Sequence, residues 1–529
     1  MTTVTKPTLL PELVFGIVGP IGVNIDAICD SLTAALRAVS YEAYPIHLTK
    51  EMLKAHQYQL QKFPVEAPSE RNFYAEVTYK IGYANALCKE FDNAATMARI
   101  AMRAIADERR KISGDPATLP EKPTAYVVRQ LKRPDEANLF RRVYGRQFIL
   151  VSAYGPVEHR QQLLEDRLRL SLSPGTAEHE ISHKARQLID KDSREDGEDL
   201  GQNVRETFHL ADVFIDGLAR GEMDAKLNRF IQAFFGRTNI SPSKSEYGMY
   251  AAKSASLRSA DLSRQVGAAA FTDDGELITQ GCNEVPKAMG GTYWDTEIPD
   301  NRDVKLGHDP NDVIKMELLR ELFDKMNEGN LLSDYAKSFG SPADMVDVFT
   351  KKRTKGSTEK DGPLANCAVL DLTEFGRVVH AEMCAICDAA RLGRSLKGST
   401  LYVTTFPCHN CTKHILAAGI KCVVYIEPYP KSRARQLHKD EIDIEKISEG
   451  KVSFLPFLGI SPVRYRDIFQ RGKRKQDGKA LPYMTDPPSP MMEPATTAYL
   501  ENEADEWGKL VLDRASSTPL HVTNPSTST

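Results

Sequence analysis

Two short motifs in the second half of the chain combine residue types that bind metal ions and transfer protons. The first is HAE at residues 380–382, and the second is PCHNC at residues 407–411. Cys408 and Cys411 are three positions apart, so both fall on one face of a helix. With the imidazole of His380 they supply three ligands of a tetrahedral zinc ion and leave the fourth position open for water, which is typical of a catalytic site.

The surroundings of these three ligands favour hydrolytic chemistry. Pro407 suits the first turn of a helix, whose positive end favours the thiolate form of the cysteines that follow. Zinc lowers the pKa of a bound water to about 7. Glu382 is then placed to take a proton from that water, protonate the ring nitrogen N3 of cytosine and deliver a proton to the leaving amine. HxE followed by PCxxC is the pattern of zinc nucleobase deaminases, and it predicts Glu382 as the catalytic residue beside one zinc ion.

Each half of this pattern has a plainer interpretation when it is taken alone. A lone histidine is more often structural, and Cys408 with Cys411 alone also has the spacing of a redox or structural-zinc pair. The occurrence of both halves, each in a strand–helix context, favours catalytic zinc. A second CxxC, Cys384 and Cys387, lies inside the helix that HAE opens. No further ligand pair is near it in the sequence, so we interpret both cysteines as buried small hydrophobic residues.

The elements that must position the two motifs form an α/β pattern. LYVTTF (401–406) and KCVVYIEP (421–428) have the apolar pattern of strands, and PCHNC opens a helix between them. Residues 266–283 form a predicted hairpin. The segment between this hairpin and HAE is far longer than a usual connection, which predicts an insertion at about 287–377.

The N-terminal half alternates apolar strand patterns with helical periodicity. ELVFGIVGPIG (12–22) precedes a helical pattern. Three further strand-like runs follow, separated by helices: 124–131, 147–155 and 212–217. This alternation is typical of a parallel sheet covered by helices on both faces. We therefore predict an N-terminal α/β domain over 1–237, a second α/β domain over 245–470, and a basic, then polar tail over 471–529 that is poorly ordered apart from one short helix in YLENEADEWGKLVLDRA (499–515).

The loop GIVGPIGVNID (16–26) follows the first predicted strand, in the place of a phosphate-binding loop. Gly19 and Gly22 match its turn glycines, but Ile25 stands where the phosphate-binding lysine belongs and Asp26 where a magnesium-binding hydroxyl belongs. Without that lysine, and with a carboxylate that repels phosphate, phosphoryl transfer is not expected. We interpret the loop as a P-loop remnant, and two alternatives stay open: it binds a nucleotide, or it is purely structural.

Composition argues against several classes of protein. The 529 residues carry a net charge of −3, with 41% hydrophobic and 27% charged residues. These values are ordinary for a globular protein and unlike one that mainly grips a nucleic-acid backbone. No apolar run approaches the roughly 18–20 residues of a membrane span, and the N-terminus lacks the pattern of a secretory signal. We therefore expect a cytoplasmic protein without membrane contact, whose cysteines are thiols or metal ligands.

Residues around the two motifs resemble the deoxycytidylate deaminase family. SLRSADLSRQVGAAAF (256–271) is similar to that family's first helix and strand. GCNEVP (281–286) is similar to its GYNGxP turn, with Cys282 and Glu284 in place of the usual tyrosine and glycine. The resemblance implies a three-layer α/β/α cytidine-deaminase fold, one zinc ion per active site and a deoxycytidine nucleotide as substrate. It also implies a homo-oligomer, either a dimer or a hexamer.

The same resemblance implies substrate-binding residues. Asn283 matches the asparagine that holds the sugar and base, and an amide both donates and accepts hydrogen bonds. Arg258 and Ser259 match a pair at the phosphate end, with a helix-surface arginine and a turn serine as the alternative. A further candidate phosphate-binding group follows the last strand, in EPYPKSRARQLH: Lys431, Ser432 and Arg435. An exposed basic loop is the alternative there.

Segments outside the zinc motifs resemble a narrower group, the bacterial antiphage dCTP/dCMP deaminases of the AvcD type. They are AYVVRQLKRPDEANLFRRVYG (125–145), residues 190–217 and VSFLPFLGISPVRY (452–465). This resemblance implies an N-terminal P-loop domain similar to nucleoside-monophosphate kinases. It also implies destruction of deoxycytidine nucleotides during phage infection, and an inhibitory RNA antitoxin as partner.

The leading hypothesis is therefore a zinc-dependent hydrolase that deaminates dCTP, dCMP or both to the uracil nucleotide in antiphage defence. One alternative is a polynucleotide cytosine or adenosine deaminase, which shares both motifs. The near-zero net charge favours a free nucleotide over such a polymer. The other alternative is a regulator whose N-terminal half senses a nucleotide or RNA.

Overall fold

The chain folds into two compact units. The computed structural model describes residues 10–54, 60, 62–195, 198–353, 359–481, 488–492 and 497–516. Unit 1 comprises Met1–Pro242 and Leu458–Thr529, and unit 2 comprises Ser243–Phe457. Unit 2 is therefore continuous in sequence and interrupts unit 1.

The first part of unit 1 alternates strands with helices. Its strands are β1 (Leu13–Val18), β2 (Glu42–Ile46), β3 (Thr124–Val128), β4 (Phe148–Tyr154) and β5 (Val213–Asp216). Its helices are α1 (Ile25–Arg37), α2 (Leu48–Lys54), α3 (Phe73–Glu90), α4 (Thr96–Ser113), α5 (Pro134–Tyr144), α6 (Val157–Ser171), α7 (Glu178–Ser193), α8 (Val204–Phe208) and α9 (Arg220–Phe234).

Unit 2 and the return of the chain to unit 1 supply the remaining elements. The helices of unit 2 are α10 (Lys244–Ser256), α11 (Asp303–Leu306), α12 (Pro310–Glu328), α13 (Asp334–Lys337), α14 (Pro342–Thr350), α15 (Ala381–Arg391), α16 (His409–Ala417) and α17 (Ala434–Leu437). Its strands are β6 (Gly267–Phe271), β7 (Leu277–Cys282), β8 (Thr400–Thr405), β9 (Cys422–Glu427), β10 (Ile442–Ile444) and β11 (Val452–Pro456). Unit 1 then resumes with β12 (Gly459–Ile460), α18 (Tyr465–Phe469), β13 (Lys475–Gln476), β14 (Lys479–Ala480) and α19 (Tyr499–Ser516).

The main sheet of unit 1 has the strand order β2-β3-β1-β4-β5-β12. Strands β2 to β5 run parallel, with Val14 of β1 opposite Phe148 of β4. Side chains of β1 alternate between two buried cores, because successive residues of a strand point to opposite faces. Val14 and Val18 pack on one face, and Phe15 and Ile17 pack on the other. The prediction of a parallel sheet covered on both faces is confirmed.

The chain returns to unit 1 earlier than the sequence predicts. β12 pairs antiparallel with β5 and completes one edge of the sheet. The buried guanidinium group of Arg464 donates to the Asp212 carboxylate at 3.1 Å and to the Phe148 carbonyl oxygen at 2.7 Å. The predicted end of the second domain at residue 470 therefore differs from the structure, in which unit 2 ends at Phe457.

The short helix predicted within the C-terminal tail is confirmed by α19. α19 places the buried Glu503 carboxylate 3.0 Å from the guanidinium group of Arg109 on α4. A buried ion pair requires both partners to be held in place, so this part of the tail is ordered. Residues 482–487, 493–496 and 517–529 of the tail lie outside the described residues.

The sheet of unit 2 has the strand order β7-β6-β8-β9-β11-β10. β6 is antiparallel to both of its neighbours, and β8, β9, β11 and β10 are parallel. Ala268 and Ala270 pack on the face that α15 and α16 cover. On the other face, a Cβ at Gly267 would overlap the carbonyl oxygen of Ala252 in α10, so only glycine permits this close approach. Unit 2 is thus layered α/β/α.

The insertion of unit 2 lies between β7 and α15. Its helices α12 and α14 pack on a small core of their own, formed by Leu319, Phe323, Leu332, Met345 and Val346. The predicted insertion at about 287–377 therefore contains its own hydrophobic cluster. Among the helices of the described residues, none is long and apolar enough to cross a membrane.

Candidate active site

The HAE and PCHNC motifs lie at the first turns of two helices. His380 immediately precedes α15 and has an extended backbone, with φ −63° and ψ 155°. Cys408 has the same position before α16, with φ −67° and ψ 164°. Glu382 and Cys411 follow within the first turns of these helices. The cysteine side chains therefore lie at a positive helix end, which favours thiolates.

The three predicted zinc ligands converge. His380 Nδ1 lies 3.3 Å from the Cys408 sulfur and 3.4 Å from the Cys411 sulfur. All three ligand atoms lie within 4.8 Å of one another. In a tetrahedral site, Zn–N bonds of about 2.0 Å and Zn–S bonds of about 2.3 Å separate nitrogen from sulfur by about 3.5 Å. The donor set therefore fits a zinc ion with Nδ1 as the imidazole ligand.

The three predicted ligands shift one another's pKa values in different directions. The pKa of the Cys408 thiol is lowered to about 4 by its hydrogen bonds with Cys411 and His380. The pKa of His380 is raised to about 9, chiefly because its ring bonds the Cys408 sulfur. The hydrogen bond with Cys408, together with burial, raises the pKa of Cys411. Metal binding requires deprotonated thiols and a neutral imidazole, so a zinc ion would displace the protons of these three donors.

Glu382 has the environment of a proton carrier. Its side chain is buried, with 4% of the residue surface exposed. Burial raises the pKa of its carboxyl, while the positive charge of His380 opposes that shift. A carboxyl group with a raised pKa can both accept and donate a proton near neutral pH.

His380, Glu382 and Cys408 line a cavity of about 300 Å³ in unit 2. This volume lies at the lower end of the range for small-molecule sites. Other residues around the cavity are mostly polar or aromatic, including Asp261, Arg264, Asn283, Thr405, Phe406, Tyr429 and Lys431. Two of the three predicted zinc ligands, His380 and Cys408, therefore face one polar space together with the predicted proton carrier.

Asn283, the predicted sugar-binding residue, lines this cavity and is 6% exposed. Its Oδ1 accepts a hydrogen bond from the backbone N–H of Val266 at 2.7 Å, and its Nδ2 donates to the Arg264 carbonyl oxygen at 2.8 Å. These two bonds hold the amide in one orientation. One amide hydrogen remains for a ligand, because an NH₂ group has two donors.

The predicted phosphate pair Arg258 and Ser259 is not among the residues that line the cavity. The Arg258 guanidinium group stacks on Trp294 of the insertion, 4.0 Å from the ring centroid, and also bonds the Thr292 hydroxyl. The Ser259 hydroxyl accepts a hydrogen bond from the backbone N–H of Asp261 at 3.2 Å. The structure therefore does not bring either side chain to the zinc ligands.

The structure gives different surroundings to the three residues of the second predicted phosphate-binding group. Lys431 lines the cavity. The Ser432 hydroxyl donates to the carbonyl oxygen of Pro407 at 2.8 Å, so it ties the loop after β9 to the loop that leads into α16. Arg435 is exposed in the short helix α17. Of the three residues, only Lys431 is part of the cavity lining among the residues described.

Sequence reasoning missed Arg264 and Tyr429, which also line the cavity. The Arg264 guanidinium group lies 5.1 Å from the centroid of the Tyr429 ring. Arg264 belongs to the same SLRSADLSRQ stretch as Arg258. Arg264 lies just before β6, at the end of the sheet that also bears the two motifs. This position distinguishes Arg264 from Arg258.

The second CxxC does not join the zinc ligands. Cys384 is buried as predicted, whereas Cys387 is exposed, so the prediction of a buried residue is wrong for Cys387. Burial raises the pKa of Cys384 to about 11, which disfavours the thiolate that binds metal. Within the described ranges, His380, Cys408 and Cys411 are the only group of three His, Cys, Asp or Glu side chains with ligand atoms this close.

The predicted P-loop remnant of unit 1 is held by side chains of the same unit. Gly22 has φ +100°, a conformation that favours glycine. The backbone N–H of Ile21 donates to Asp192 Oδ2 at 2.7 Å. The Lys132 ammonium group bonds the Gly19 carbonyl oxygen at 2.8 Å and Asp192 Oδ1 at 2.7 Å. Because a carboxylate already bonds an N–H of this loop, a phosphate there would have to displace it, and nucleotide binding stays a prediction.

Comparison with known proteins identifies the region around the site. The cytidine and deoxycytidylate deaminase zinc-binding region matches residues 242–427. Over 55 residues the chain is 51% identical to the deoxycytidylate deaminase of Enterobacteria phage T2, which covers 10% of this chain and 29% of that protein. Over 104 residues it is 34% identical to ComE operon protein 2 of Bacillus subtilis (strain 168), which covers 17% of this chain and 54% of that protein. The chain thus spans less than two thirds of either relative.

A solved structure gives a weaker likeness. The dCMP deaminase from the cyanophage S-TIM5, in complex with dCMP and dUMP, is 19% identical, with 41% of this chain and 100% of that chain covered and a TM-score of 0.22. The assignment of the site therefore rests on its own geometry and on the matched zinc-binding region.

Proposed function

Because residues 242–427 carry the zinc-binding region of cytidine and deoxycytidylate deaminases, we propose that unit 2 is a zinc-dependent hydrolase of deoxycytidine nucleotides. It converts dCTP, dCMP or both, with one water, to the deoxyuridine nucleotide and ammonia. The observation that carries the proposal is the convergence of three zinc donors within 4.8 Å, beside the buried carboxyl of Glu382. A structural zinc site is closed by four protein ligands, whereas here the described residues supply three donors, two of which line a cavity with the proton carrier.

Each residue of the unit 2 site has a separate role in this reaction. Zinc bound to the three donors would supply a water of lowered pKa. Glu382 accepts a proton, donates one to the ring nitrogen N3 and delivers one to the departing ammonia. Asn283 offers its remaining amide hydrogen to a sugar hydroxyl. Phe406 and Tyr429 line the same cavity and supply aromatic surfaces for a pyrimidine ring.

A substrate panel tests the proposal. Ammonia release is measured with dCTP, dCMP and single-stranded DNA, using zinc-loaded protein and protein treated with a chelator. We expect turnover of at least one free nucleotide, with loss on chelation and recovery on addition of zinc. Turnover of the polymer alone would favour a polynucleotide deaminase. A zinc-loaded protein inert towards every cytidine nucleotide would favour a nucleotide- or RNA-sensing regulator.

We further propose a role in antiphage defence, in which an RNA antitoxin holds the enzyme inactive before infection. The support is the resemblance of residues 125–145 and 452–465 to the AvcD-type deaminases. The parallel sheet of unit 1, with the loop 16–26 at the carboxyl end of β1, supports a P-loop-like fold for the N-terminal half. The same resemblance supports a dimer or hexamer, which light scattering would detect.

Deoxycytidine nucleotide pools during phage infection test this role. We expect the pools to fall in cells with the wild-type protein and to persist in cells with Glu382→Ala. Co-expression of the native flanking RNA should suppress turnover in uninfected cells. Pools that fall equally with both proteins would contradict the role without affecting the proposed chemistry.

A further inference from the structure

The cavity of unit 2 has a buried end and an exposed end. Glu382 exposes only 4% of its surface. Arg264 and Lys431, the cations of the lining other than His380, expose 41% and 55% of their side chains. A ligand whose reacting end reaches Glu382 keeps its other end near these cations. A charged group at that end needs little desolvation, because it stays close to water.

Arg264 is fixed at this exposed end by its neighbours. Its guanidinium group donates to Glu427 Oε1 at 2.7 Å and lies over the Tyr429 ring. The other oxygen of Glu427 accepts a hydrogen bond from the Thr405 hydroxyl at 3.1 Å. Both Glu427 and Thr405 end parallel strands, so the sheet itself sets the position of the guanidinium group.

The partner of Lys431 comes from the insertion. The ammonium group lies 2.5 Å from Asp371 Oδ1, and the Asp371 side chain is 36% exposed. An exposed ion pair contributes only about 0–1 kcal/mol, so a ligand of higher charge can displace Asp371 from Lys431.

Helix α12 holds Asp371 in place through the residues on either side of it. The Lys315 ammonium group donates to the Leu370 carbonyl oxygen at 2.8 Å. The Asn311 amide donates to the Leu372 carbonyl oxygen at 2.9 Å. These two hydrogen bonds hold the Asp371 carboxylate beside Lys431. The carboxylate therefore remains nearby when Lys431 changes partner.

We propose that Asp371 is a specificity-determining residue, which competes with the 5′-phosphate of the substrate for Lys431. The inference rests on the proposed deamination of deoxycytidine nucleotides. Lys431 and Arg264 bind the phosphate at the exposed end, and the insertion adds one negative charge beside it. Repulsion grows with the charge of the phosphate, which is about −2 for a monophosphate and roughly twice that for a triphosphate. The insertion thus favours dCMP over dCTP relative to a site without Asp371.

The test compares kcat/KM for deoxycytidine, dCMP and dCTP in the wild type, Asp371→Asn and Lys431→Ala. Asp371→Asn should raise kcat/KM about 2- to 5-fold for dCMP, the range of an exposed charge pair, and more for dCTP. Lys431→Ala should lower both nucleotide values about tenfold or more, as expected for loss of a hydrogen bond to a charged group. Deoxycytidine should be unaffected by either change. The effects should appear in KM rather than kcat, because phosphate binding is equal in the ground and transition states.

A second ion pair of unit 2 provides the matched control. Lys421 pairs with Asp273 at the opposite, amino end of β9, and both side chains are exposed. Lys421→Ala and Asp273→Asn change the same charges and should leave the selectivity among the three substrates unchanged. Thermal unfolding of each variant checks that the fold is retained.

Binding measured without turnover separates this inference from the proposed function. Calorimetry compares the affinity for dCMP of Glu382→Ala with that of Glu382→Ala combined with Asp371→Asn. We expect the double variant to bind dCMP more tightly and deoxycytidine equally well. Equal dCMP affinity, or equal changes for all three substrates in the kinetic test, overturns the role of Asp371. Tighter dCMP binding by the double variant, together with a zinc-loaded wild-type protein that deaminates none of the three substrates, overturns the proposed function instead.

Discussion

One group of titratable side chains in unit 2 borders a cavity, whereas one buried group in unit 1 is paired internally. The unit 2 group, the open cluster, consists of His380, Glu382, Cys408 and Cys411. The unit 1 group, the closed cluster, consists of Glu12, Arg109 and Glu503 with the hydroxyl groups of Tyr126, Tyr144 and Tyr499. Both groups are withdrawn from water, but only the first leaves bonding capacity for a ligand.

The closed cluster satisfies its charges internally. Arg109 is 1% exposed, and its Nε donates to both oxygens of Glu12 at 3.0 Å. Its two terminal nitrogens donate to the two oxygens of Glu503 at 3.0 Å. Tyr499 adds a hydrogen bond to Glu12 at 2.6 Å, and Tyr144 adds one to Glu503 at 3.0 Å. The cluster joins the C-terminal helix α19 to the sheet domain.

A perturbed pKa by itself does not distinguish these two groups. Burial raises the pKa of Glu503 in the closed cluster, as it does for Glu382 in the open cluster. The two clusters differ in the bonding partners of their side chains. The Glu503 carboxylate is occupied by a guanidinium group and a phenol, whereas Glu382 and two of the three donors beside it border a cavity. Geometry, not the size of the pKa shift, marks the site.

Cys408→Ala should have the largest effect on the open cluster. It removes one of three zinc donors, so the protein should lose both its metal and its deaminase activity. Metal analysis and ammonia release on the same sample check this. Full zinc content in the variant would contradict the ligand assignment and erase the distinction from the closed cluster.

Glu382→Ala should separate metal binding from proton transfer. Glu382 moves protons and ligates nothing, so zinc content should be unchanged while kcat falls about 10²–10⁴-fold. Metal analysis beside steady-state kinetics provides the measurement. Loss of zinc in this variant would refute the role given to Glu382.

Arg109→Met should destabilise unit 1 without changing the chemistry of unit 2. The change leaves two buried carboxylates without their cation and should lower the free energy of unfolding by about 3–5 kcal/mol. The zinc content and kcat of the folded protein should match the wild type. Denaturant unfolding followed by circular dichroism measures the loss, and Arg110→Met, at an exposed neighbour, is the matched control.

The stability of Arg109→Met should depend on pH in a predictable direction. The folded pKa of Glu503 already lies above its usual value because of burial. A carboxyl with a raised folded pKa contributes stability that is present below the unfolded pKa and is lost as pH rises through the folded pKa. Without Arg109 this loss of stability should be greater. The difference in free energy of unfolding between Arg109→Met and the wild type should therefore widen from acidic to neutral pH. A gap independent of pH would show that the carboxylates are not what Arg109 stabilises.

Cys387→Ser should have the smallest effect. Cys387 has the same CxxC spacing as the ligand pair but is exposed and outside the open cluster. Zinc content, kcat and the unfolding midpoint should all stay within error of the wild type. A drop in zinc content would place the second CxxC in the metal site and widen the open cluster.

Much of the architecture was predictable from local patterns. The alternation of strands and helices in residues 1–237 predicted a parallel sheet covered on both faces, and the HAE and PCHNC motifs predicted residues that the structure brings together. The resemblance also directed attention to Arg258 for phosphate, whereas the structure stacks Arg258 on Trp294 and places Arg264 in the cavity. The two arginines are six positions apart, and periodicity does not show which of them borders the cavity.

The sequence by itself determined the donor types, their spacing and their placement at helix starts. These properties depend on a few neighbouring residues, because a helix turn brings together positions three and four apart. Only the tertiary structure decided that Asp371 faces Lys431, that the chain leaves unit 2 after Phe457, and that Glu503 meets Arg109. Such pairs are far apart in sequence and form only when sheets and helices pack in one register. No local pattern of residues encodes that packing.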